Sequence, residues 1–273
     1  MTNDEKKKSQ AINYMKLVKE VYSNLTHHFA SFVKEKSKEE FCSFCSEIYD
    51  VYNIDKLLNA IATQKQKDLI LDHLTELNLI SFFRRKAPTW TIEYEKETVI
   101  DGISRFPDLT IHLPHPEQTV LMQVKHVRKS KDYEEQHKQY PEDFVQTNDE
   151  VQLRASFDKA VSKSPCEEGS VLFVLQEIST NADIDDITVS EALYGNEVWV
   201  FPSGKPFRKD DGFYKQPLGK HLSAHIAMRK TDHRMITDYS FVARPNPEFG
   251  RDDLLQRLFG DIRILSADDF SSG

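Results

Sequence analysis

The sequence predicts an α/β protein, and three observations lead to this fold class. Apolar residues recur every three or four positions in the N-terminal part of the chain, as on one face of an amphipathic helix. Beyond Trp90 the period falls to two, which is typical of half-buried strands. The apolar run SVLFVLQEI at 170–178 does not alternate, as expected of a strand that is covered on both faces.

Residues 1–64 are predicted to form an N-terminal helical region. Ser37 and Glu40, three positions apart, match a capping box that opens a second helix. The inward face of this second helix is expected to include Phe41 and Cys45. The apolar face of the first helix comprises Tyr14, Leu17, Val21, Leu25, Phe29 and Phe32.

Residues 65–201 are predicted to form the core, as a helix, three strands, a second helix and a buried strand. The first helix is expected over 65–80, and Pro88 then breaks the chain. Strands are expected over 91–100, 105–113 and 119–127, separated by the turn signals Asp101-Gly102 and 114–117. A capping box at 147–150 opens a helix with Leu153, Phe157, Ala160 and Val161 on its apolar face. The runs 170–178 and 197–201 follow as strands.

Residues 202–273 are predicted to form a C-terminal extension of mixed strands and one short helix. The segment 205–215 has the polar composition of a loop. Strands are expected over 221–228 and 240–243, and a helix over 252–259.

The composition is that of a soluble globular protein, with 39% hydrophobic and 29% charged residues among 273. No apolar run approaches the ~20 residues that cross a bilayer, and the polar N-terminus is unlike a secretory signal. We therefore expect a cytoplasmic protein without a membrane partner. Cys42 and Cys45 form a CxxC pair, but no second pair completes a zinc site, so buried thiols are expected.

The net charge of −8 argues against a protein that coats nucleic acid nonspecifically, because phosphate neutralisation needs clustered Lys and Arg. An enzyme with a local basic groove is still compatible with this charge.

Asp108, Gln123 and Lys125 are the candidate catalytic residues. Side chains alternate along a strand, so Gln123 and Lys125 share a face, and one register of two antiparallel strands brings Asp108 beside them. Mg²⁺ would organise these groups, because Asp108 offers an anionic oxygen while Gln123 and the Val124 carbonyl offer neutral ones. Lys125 would add positive charge beside a metal-bound water, which indicates a phosphodiesterase site.

Pro107-Asp108, followed after a gap of fourteen residues by Gln123-Val124-Lys125, resembles the motif of the PD-(D/E)XK nuclease superfamily in its variant with Gln. The predicted order of elements over about 65–180 is similar to the core of that superfamily. The resemblance implies a restriction-endonuclease-like core and hydrolysis of phosphodiester bonds in nucleic acid, dependent on Mg²⁺ with Mn²⁺ as a substitute. It further implies that Asp108 is the metal-binding acid, Gln123 the second metal-site position and Lys125 the catalytic lysine.

A further acid is needed to hold a divalent cation, because Gln123 carries no charge. Glu76 on the predicted helix is one candidate, and Glu93, Glu95 and Glu97 on the predicted first strand are the others. Glu93 and Glu95 point the same way along an alternating strand, so both are expected to face the site. For each glutamate the alternative is a solvated surface side chain.

Three basic clusters are candidate contacts to the phosphates of a polymer. They comprise His126, Arg128, Lys129 and Lys131 next to Lys125; Arg84, Arg85 and Lys86; and Arg229, Lys230 and Arg234. DNA is the expected partner, with RNA as the alternative. Cleavage of a duplex takes two active sites, which suggests a homodimer. For any single cluster, charges that keep a loop in solvent are the alternative interpretation.

Two other classes of function are compatible with the sequence. A nuclease-like fold retained for binding only would explain a neutral Gln123 at a metal-site position. The chain could also be an interaction protein whose N-terminal helices bind a partner, with an unrelated α/β core.

Overall fold

The computed structural model of the protein describes residues 3–100, 103–127, 149–163, 171–178, 186–195, 197–200 and 205–270. In these ranges the helices are α1 (Asn3–His28), α2 (Phe32–Glu35), α3 (Lys38–Ser46), α4 (Ile54–Thr63), α5 (Lys67–Lys86), α6 (Asp149–Lys163), α7 (Asp186–Tyr194) and α8 (Asp252–Phe259). The strands are β1 (Thr91–Tyr94), β2 (Thr98–Ile100), β3 (Ile103–Arg105), β4 (Leu109–Pro114), β5 (Glu117–Val127), β6 (Val171–Ile178), β7 (Glu197–Val200), β8 (Lys205–Arg208), β9 (Ala224–Lys230), β10 (Tyr239–Pro245) and β11 (Ile262–Ile264).

Seven strands form one mixed sheet in the order β1-β4-β5-β6-β9-β10-β11. Strand β1 is antiparallel to β4, whereas β5 with β6, β6 with β9, and β10 with β11 are parallel pairs. The predicted α/β class is therefore confirmed, and the sheet is larger than the predicted three-stranded meander. Strands β9 to β11 come from the segment predicted as an extension, because periodicity identifies a strand but not the distant strand with which it pairs.

Two of the predicted strands are divided in the structure. Glu95 has a φ of 42° and ends β1, so the alternating run over 91–100 becomes two strands in different sheets. A residue with positive φ turns the chain out of the extended conformation. The predicted strand over 105–113 is interrupted between Arg105 and Leu109, where Pro107 cannot donate a hydrogen bond to a ladder.

The segment that begins at residue 197 also differs from the prediction. Strand β7 was expected to close the core, but it pairs antiparallel with β8 in a separate two-stranded sheet. Strand β8 lies inside the segment 205–215, which was predicted as a loop, and helix α7 has no predicted counterpart. Such a short, charged strand lacks the apolar alternation by which strands are recognised.

The chain groups into two compact units. The first comprises Met1–Thr98, Pro107–Thr119 and Lys230–Asp238, and the second comprises Val99–Phe106, Val120–Arg229 and Tyr239–Gly273. The division into 1–64, 65–201 and 202–273 stays a prediction.

The N-terminal helices of the first unit follow the predicted apolar pattern in part. Helix α1 packs on α4 and buries Tyr14, Val21 and Leu25 as predicted, together with Val18. Leu17 is half-buried, and α1 ends at His28, before Phe29 and Phe32. The capping box predicted for α3 is confirmed, since the Ser37 hydroxyl accepts from the Glu40 N–H at 3.2 Å and the Glu40 carboxylate accepts from the Ser37 N–H at 2.7 Å. These reciprocal bonds satisfy two N–H groups that a helix start leaves without intrahelical partners.

The core of the second unit lies between α6, α7 and one face of the sheet. The predicted apolar face of α6 is confirmed, because Leu153, Phe157, Ala160 and Val161 are buried. They pack in one cluster with Leu121 of β5 and with Leu172 and Val174 of β6. Side chains at every second position of a strand share a face, so Gln123 and Lys125 lie on the same face of β5 as Leu121.

Candidate functional site

Glu76 of α5 is a largely buried carboxylate in the first unit. Its neighbours on the helix, Leu74 and Leu77, are buried in the core, and its own side chain is only 13% exposed. One of its oxygens, Oε2, accepts a hydrogen bond from the Tyr94 hydroxyl at 2.9 Å and lies 3.2 Å from Nδ1 of His73. A buried carboxylate requires such partners, because its transfer from water is costly.

The electrostatic neighbours of Glu76 include Asp108. Burial raises the pKa of the Glu76 carboxyl, the hydrogen bond with His73 partly offsets this rise, and the charge of Asp108 raises the pKa further. The hydrogen bond to Glu76 in turn raises the pKa of His73. A cation bound near two carboxylates offsets the repulsion between their like charges. We call Glu76, Tyr94 and Asp108 the acidic cluster.

The backbone around β1 and β4 fixes the other two members of the acidic cluster. In the antiparallel ladder Tyr94 pairs with Leu109, the residue after Asp108. The Asp108 carbonyl accepts from the Glu95 N–H at 3.1 Å. Burial raises the pKa of the Tyr94 phenol, and the charge of Glu76 adds to this effect, so the hydroxyl stays a hydrogen-bond donor at neutral pH.

Glu93 and Glu95 have other partners in the structure. Glu93 accepts from Lys96 at 2.7 Å and lies 2.8 Å from Nε2 of His112. Burial raises the pKa of the Glu93 carboxyl, but the hydrogen bonds with Lys96 and His112 outweigh this effect and hold the pKa below its ordinary value. Glu95 forms an ion pair with Lys56. The left-handed backbone at Glu95 ends the alternation on which their shared orientation was predicted.

Gln123, Val124 and Lys125 form a compact hydrogen-bonded group in the second unit. The Gln123 side chain is fully buried; its Nε2 donates to the Phe106 carbonyl at 3.3 Å. The Lys125 ammonium donates to Oε1 of Gln123 at 3.1 Å and to the Val124 carbonyl at 3.0 Å. The two neutral oxygens that the sequence assigns to a divalent cation therefore both accept from Lys125.

The basic residues at the end of α5 pair with acidic groups or carbonyls of the first unit. Arg84 forms an ion pair with Asp50 and donates to the Pro88 carbonyl at 2.7 Å. Arg85 forms an ion pair with Asp238 at 2.5 Å. An arginine whose charge is offset by a carboxylate offers less attraction to a phosphate.

Two other residues that were predicted to contact phosphate, His126 and Arg234, also lie near carboxylates. His126 lies on the opposite face of β5 from Lys125, with Nδ1 3.7 Å from Oε2 of Glu177. Arg234 pairs with Asp232. Arg128, Lys129 and Lys131 lie outside the described residues.

The CxxC pair on α3 consists of free thiols. Cys45 is buried, as predicted, and burial raises the pKa of its thiol; Cys42 is half-buried. A buried neutral thiol acts as a small apolar group.

Sequence reasoning missed Tyr94 and His73 as partners of Glu76. The spacing of His73 and Glu76, three residues apart on a helix, is a signal from which their pairing could have been predicted. No comparable local signal points to Tyr94, since it lies on a different element.

The acidic cluster fits a hard divalent cation in the type of its donors, since carboxylate oxygens are the ligands that Mg²⁺ prefers. Within the part of the chain that the structure describes, no group of three or more His, Cys, Asp or Glu side chains is placed to hold a metal ion. Glu76 and Asp108 could offer a cation two anionic ligands, and its further ligands would be neutral oxygens or water.

The fold and these residues define an α/β protein with a mixed seven-stranded sheet and a largely buried glutamate whose electrostatic neighbours include Asp108. None of the protein-family models, curated proteins or solved structures compared with the chain matches it. Across the described residues, the helices all fall short of the length and apolarity that spanning a membrane requires.

Proposed function

We propose that the protein is a metal-dependent nuclease that hydrolyses phosphodiester bonds in DNA, with a restriction-endonuclease-like core. The observation that carries this proposal is the position of Glu76: its largely buried carboxylate accepts a hydrogen bond from Tyr94, whose ladder partner Leu109 directly follows Asp108. A metal site at the sequence motif requires a further acid beside Asp108, and Glu76 is one of the four candidate glutamates. Burying a charged glutamate that interacts with a second carboxylate is unfavourable in free energy, and a bound cation would offset this cost.

In the proposed mechanism Glu76 and Asp108 would hold Mg²⁺, or Mn²⁺ as a substitute. Such a cation would lower the pKa of a bound water and stabilise negative charge on a phosphoryl group. The Tyr94 hydroxyl orients the Glu76 carboxylate through its 2.9 Å hydrogen bond. Lys125 would contribute positive charge to the phosphate oxygens, and the Gln123 and Val124 oxygens orient its ammonium.

The test is cleavage of plasmid and of labelled DNA and RNA oligonucleotides by the purified full chain with Mg²⁺ or Mn²⁺. We expect Asp108→Asn, Glu76→Gln and Lys125→Ala each to lower the rate at least about a hundredfold, the scale of a lost catalytic group. Asp253→Asn, which changes an exposed carboxylate on α8, is the control and should leave the rate unchanged. Undiminished cleavage by Asp108→Asn and Lys125→Ala would remove these residues from the mechanism.

Glu93→Gln and Glu95→Gln distinguish Glu76 from two of the other three candidate glutamates. Because Glu93 pairs with His112 and Lys96, and Glu95 with Lys56, we expect both variants to retain cleavage. Loss of activity in either variant, with activity retained in Glu76→Gln, would assign the metal to a different carboxylate.

A homodimer is proposed for duplex cleavage, since two strands require two active sites. Sedimentation velocity of the purified chain, alone and with a duplex, tests this expectation; a monomer in both conditions that still cuts both strands would contradict it.

A second candidate function, binding of nucleic acid or protein without turnover, is favoured by one observation. The ammonium of Lys125 is already held by the two oxygens that a cation would otherwise use, and Gln123 brings no charge. Titration calorimetry with Mn²⁺ separates the two functions. No uptake at millimolar Mn²⁺ would favour the binding function, whereas uptake that disappears in Asp108→Asn would favour the nuclease.

A further inference from the structure

Phe106 carries an exposed aromatic ring, and its backbone carbonyl contacts the Gln123–Lys125 group. The residue is 50% exposed, although a large apolar side chain is normally covered where the chain allows it. Its carbonyl accepts from Nε2 of Gln123 at 3.3 Å, and Oε1 of the same amide accepts from the Lys125 ammonium at 3.1 Å. Two hydrogen bonds through one buried amide therefore tie the backbone that carries the ring to the ammonium.

Phe249 shows what distinguishes Phe106 from a surface phenylalanine of no particular role. It has nearly the same exposure, 48%, and belongs to the same unit. Its N–H donates to the Asn246 carbonyl in a local turn, a bond that serves the turn alone. A single exposed ring needs no explanation. Phe106 differs because its backbone is hydrogen-bonded, through the Gln123 amide, to a proposed phosphate-binding ammonium.

We propose that Phe106 stacks on an unpaired nucleobase, so that the substrate class of the proposed nuclease is single-stranded nucleic acid or a single-stranded segment of a duplex. This inference rests on the proposed function. An aromatic face with a cation beside it is the combination that binds single strands, because the ring takes a base and the cation takes a phosphate. In a duplex, both faces of an internal base are covered by its neighbours, so the ring can reach a base only where the strand is unpaired.

The test measures binding of a labelled oligothymidine and of a matched duplex by the full chain in EDTA, where metal-dependent cleavage does not occur. We expect Phe106→Ala to weaken single-strand binding about tenfold, the effect of losing one base–aromatic stack. Duplex binding should change less than twofold. Phe106→Trp should restore single-strand binding, and Phe249→Ala is the matched control that should leave it unchanged.

A second measurement uses a single strand with one abasic nucleotide, moved along the sequence. At one position the missing base should weaken binding by the wild-type protein but not by Phe106→Ala, because the stack is already lost in that variant. Thermal unfolding of each variant verifies that the fold is intact.

The outcomes separate this inference from the proposed function. Wild-type affinity of Phe106→Ala for the single strand, or an equal loss on single strand and duplex, would overturn the stacking role even if the protein cleaves DNA. Phe106-dependent single-strand binding in a protein that cleaves nothing with Mg²⁺ or Mn²⁺ would support the stacking role and overturn the nuclease. A wild-type protein that binds neither substrate would overturn both.

Discussion

The hydrogen bond from Tyr94 to Glu76 gives a quantitative test of the acidic cluster. The hydroxyl is 2.9 Å from Oε2 of Glu76, and Tyr94 is only 2% exposed. Tyr94→Phe removes this donor and leaves the ring in place. Because the hydrogen bond stabilises the charged carboxylate, its loss raises the pKa of Glu76 beyond the rise that burial and Asp108 already cause.

The size of the effect follows from the kind of bond that is lost. A hydrogen bond to a charged group contributes about 1.5–3 kcal/mol. We therefore expect Tyr94→Phe to lower the free energy of unfolding by about this amount at a pH where Glu76 is charged, and to raise the pKa of Glu76. A metal-binding carboxylate must be deprotonated, so the pH at which Mn²⁺ binding is half lost should move upward.

The raised pKa of Glu76 also sets how the effect of Tyr94→Phe on the free energy of unfolding depends on pH. The pKa of Glu76 is raised in the folded state, so its contribution to the free energy of unfolding is greatest below the unfolded-state pKa and is lost as the pH rises through the folded-state pKa. Tyr94→Phe should thus destabilise the protein more at pH 8 than at pH 4. Urea unfolding at both pH values measures this difference.

Tyr239→Phe is the matched control, because the Tyr239 hydroxyl also donates to a glutamate, Glu177, at 3.3 Å. Calorimetric Mn²⁺ titrations at several pH values should show an unchanged midpoint in this variant. An unchanged midpoint in Tyr94→Phe as well, or the same shift in both variants, would refute the argument that Tyr94 tunes a metal-binding glutamate.

Three further predictions concern the stability of the fold. Burial lowers the pKa of His225 well below its ordinary 6.5. The free energy of unfolding should therefore fall as the pH drops below about 6.5, because only the unfolded chain takes up the proton there. His225→Gln should make the free energy of unfolding less dependent on pH, which urea unfolding at pH 7 and pH 5 measures. Ser37→Ala should lower the free energy of unfolding by about 1 kcal/mol through loss of the helix cap, and an unchanged free energy in thermal unfolding would show that the cap contributes nothing. The fully buried Arg244 pairs with Asp186 at 2.7 Å. Asp186→Asn should therefore lower the free energy of unfolding by about 3 kcal/mol in chemical denaturation, the low end for a broken buried pair because Asp186 is one-third exposed. A cost near zero would show that solvent already screens the pair.

The elements around the motif could be predicted because their signals are local. The alternation over 119–127 gave strand β5 and the shared face of Gln123 and Lys125, and the capping box gave the start of α3 at Ser37. The break at Glu95 could not be predicted in this way. Its positive φ occurs where the Glu95 N–H bonds to the Asp108 carbonyl, and that partner lies just before β4, thirteen residues further along the chain.

The sequence by itself determined which chemical groups are present and which of them share a strand face, because side-chain orientation follows the backbone period of each element. It indicated Glu76 and three other glutamates as candidates for the further metal-binding acid and could not distinguish among them. Only the tertiary structure decided that Asp108 raises the pKa of Glu76, while Glu93 pairs with His112. The physical reason is that burial and charge interactions depend on which residues distant in the chain pack together, and periodicity carries no information about those partners.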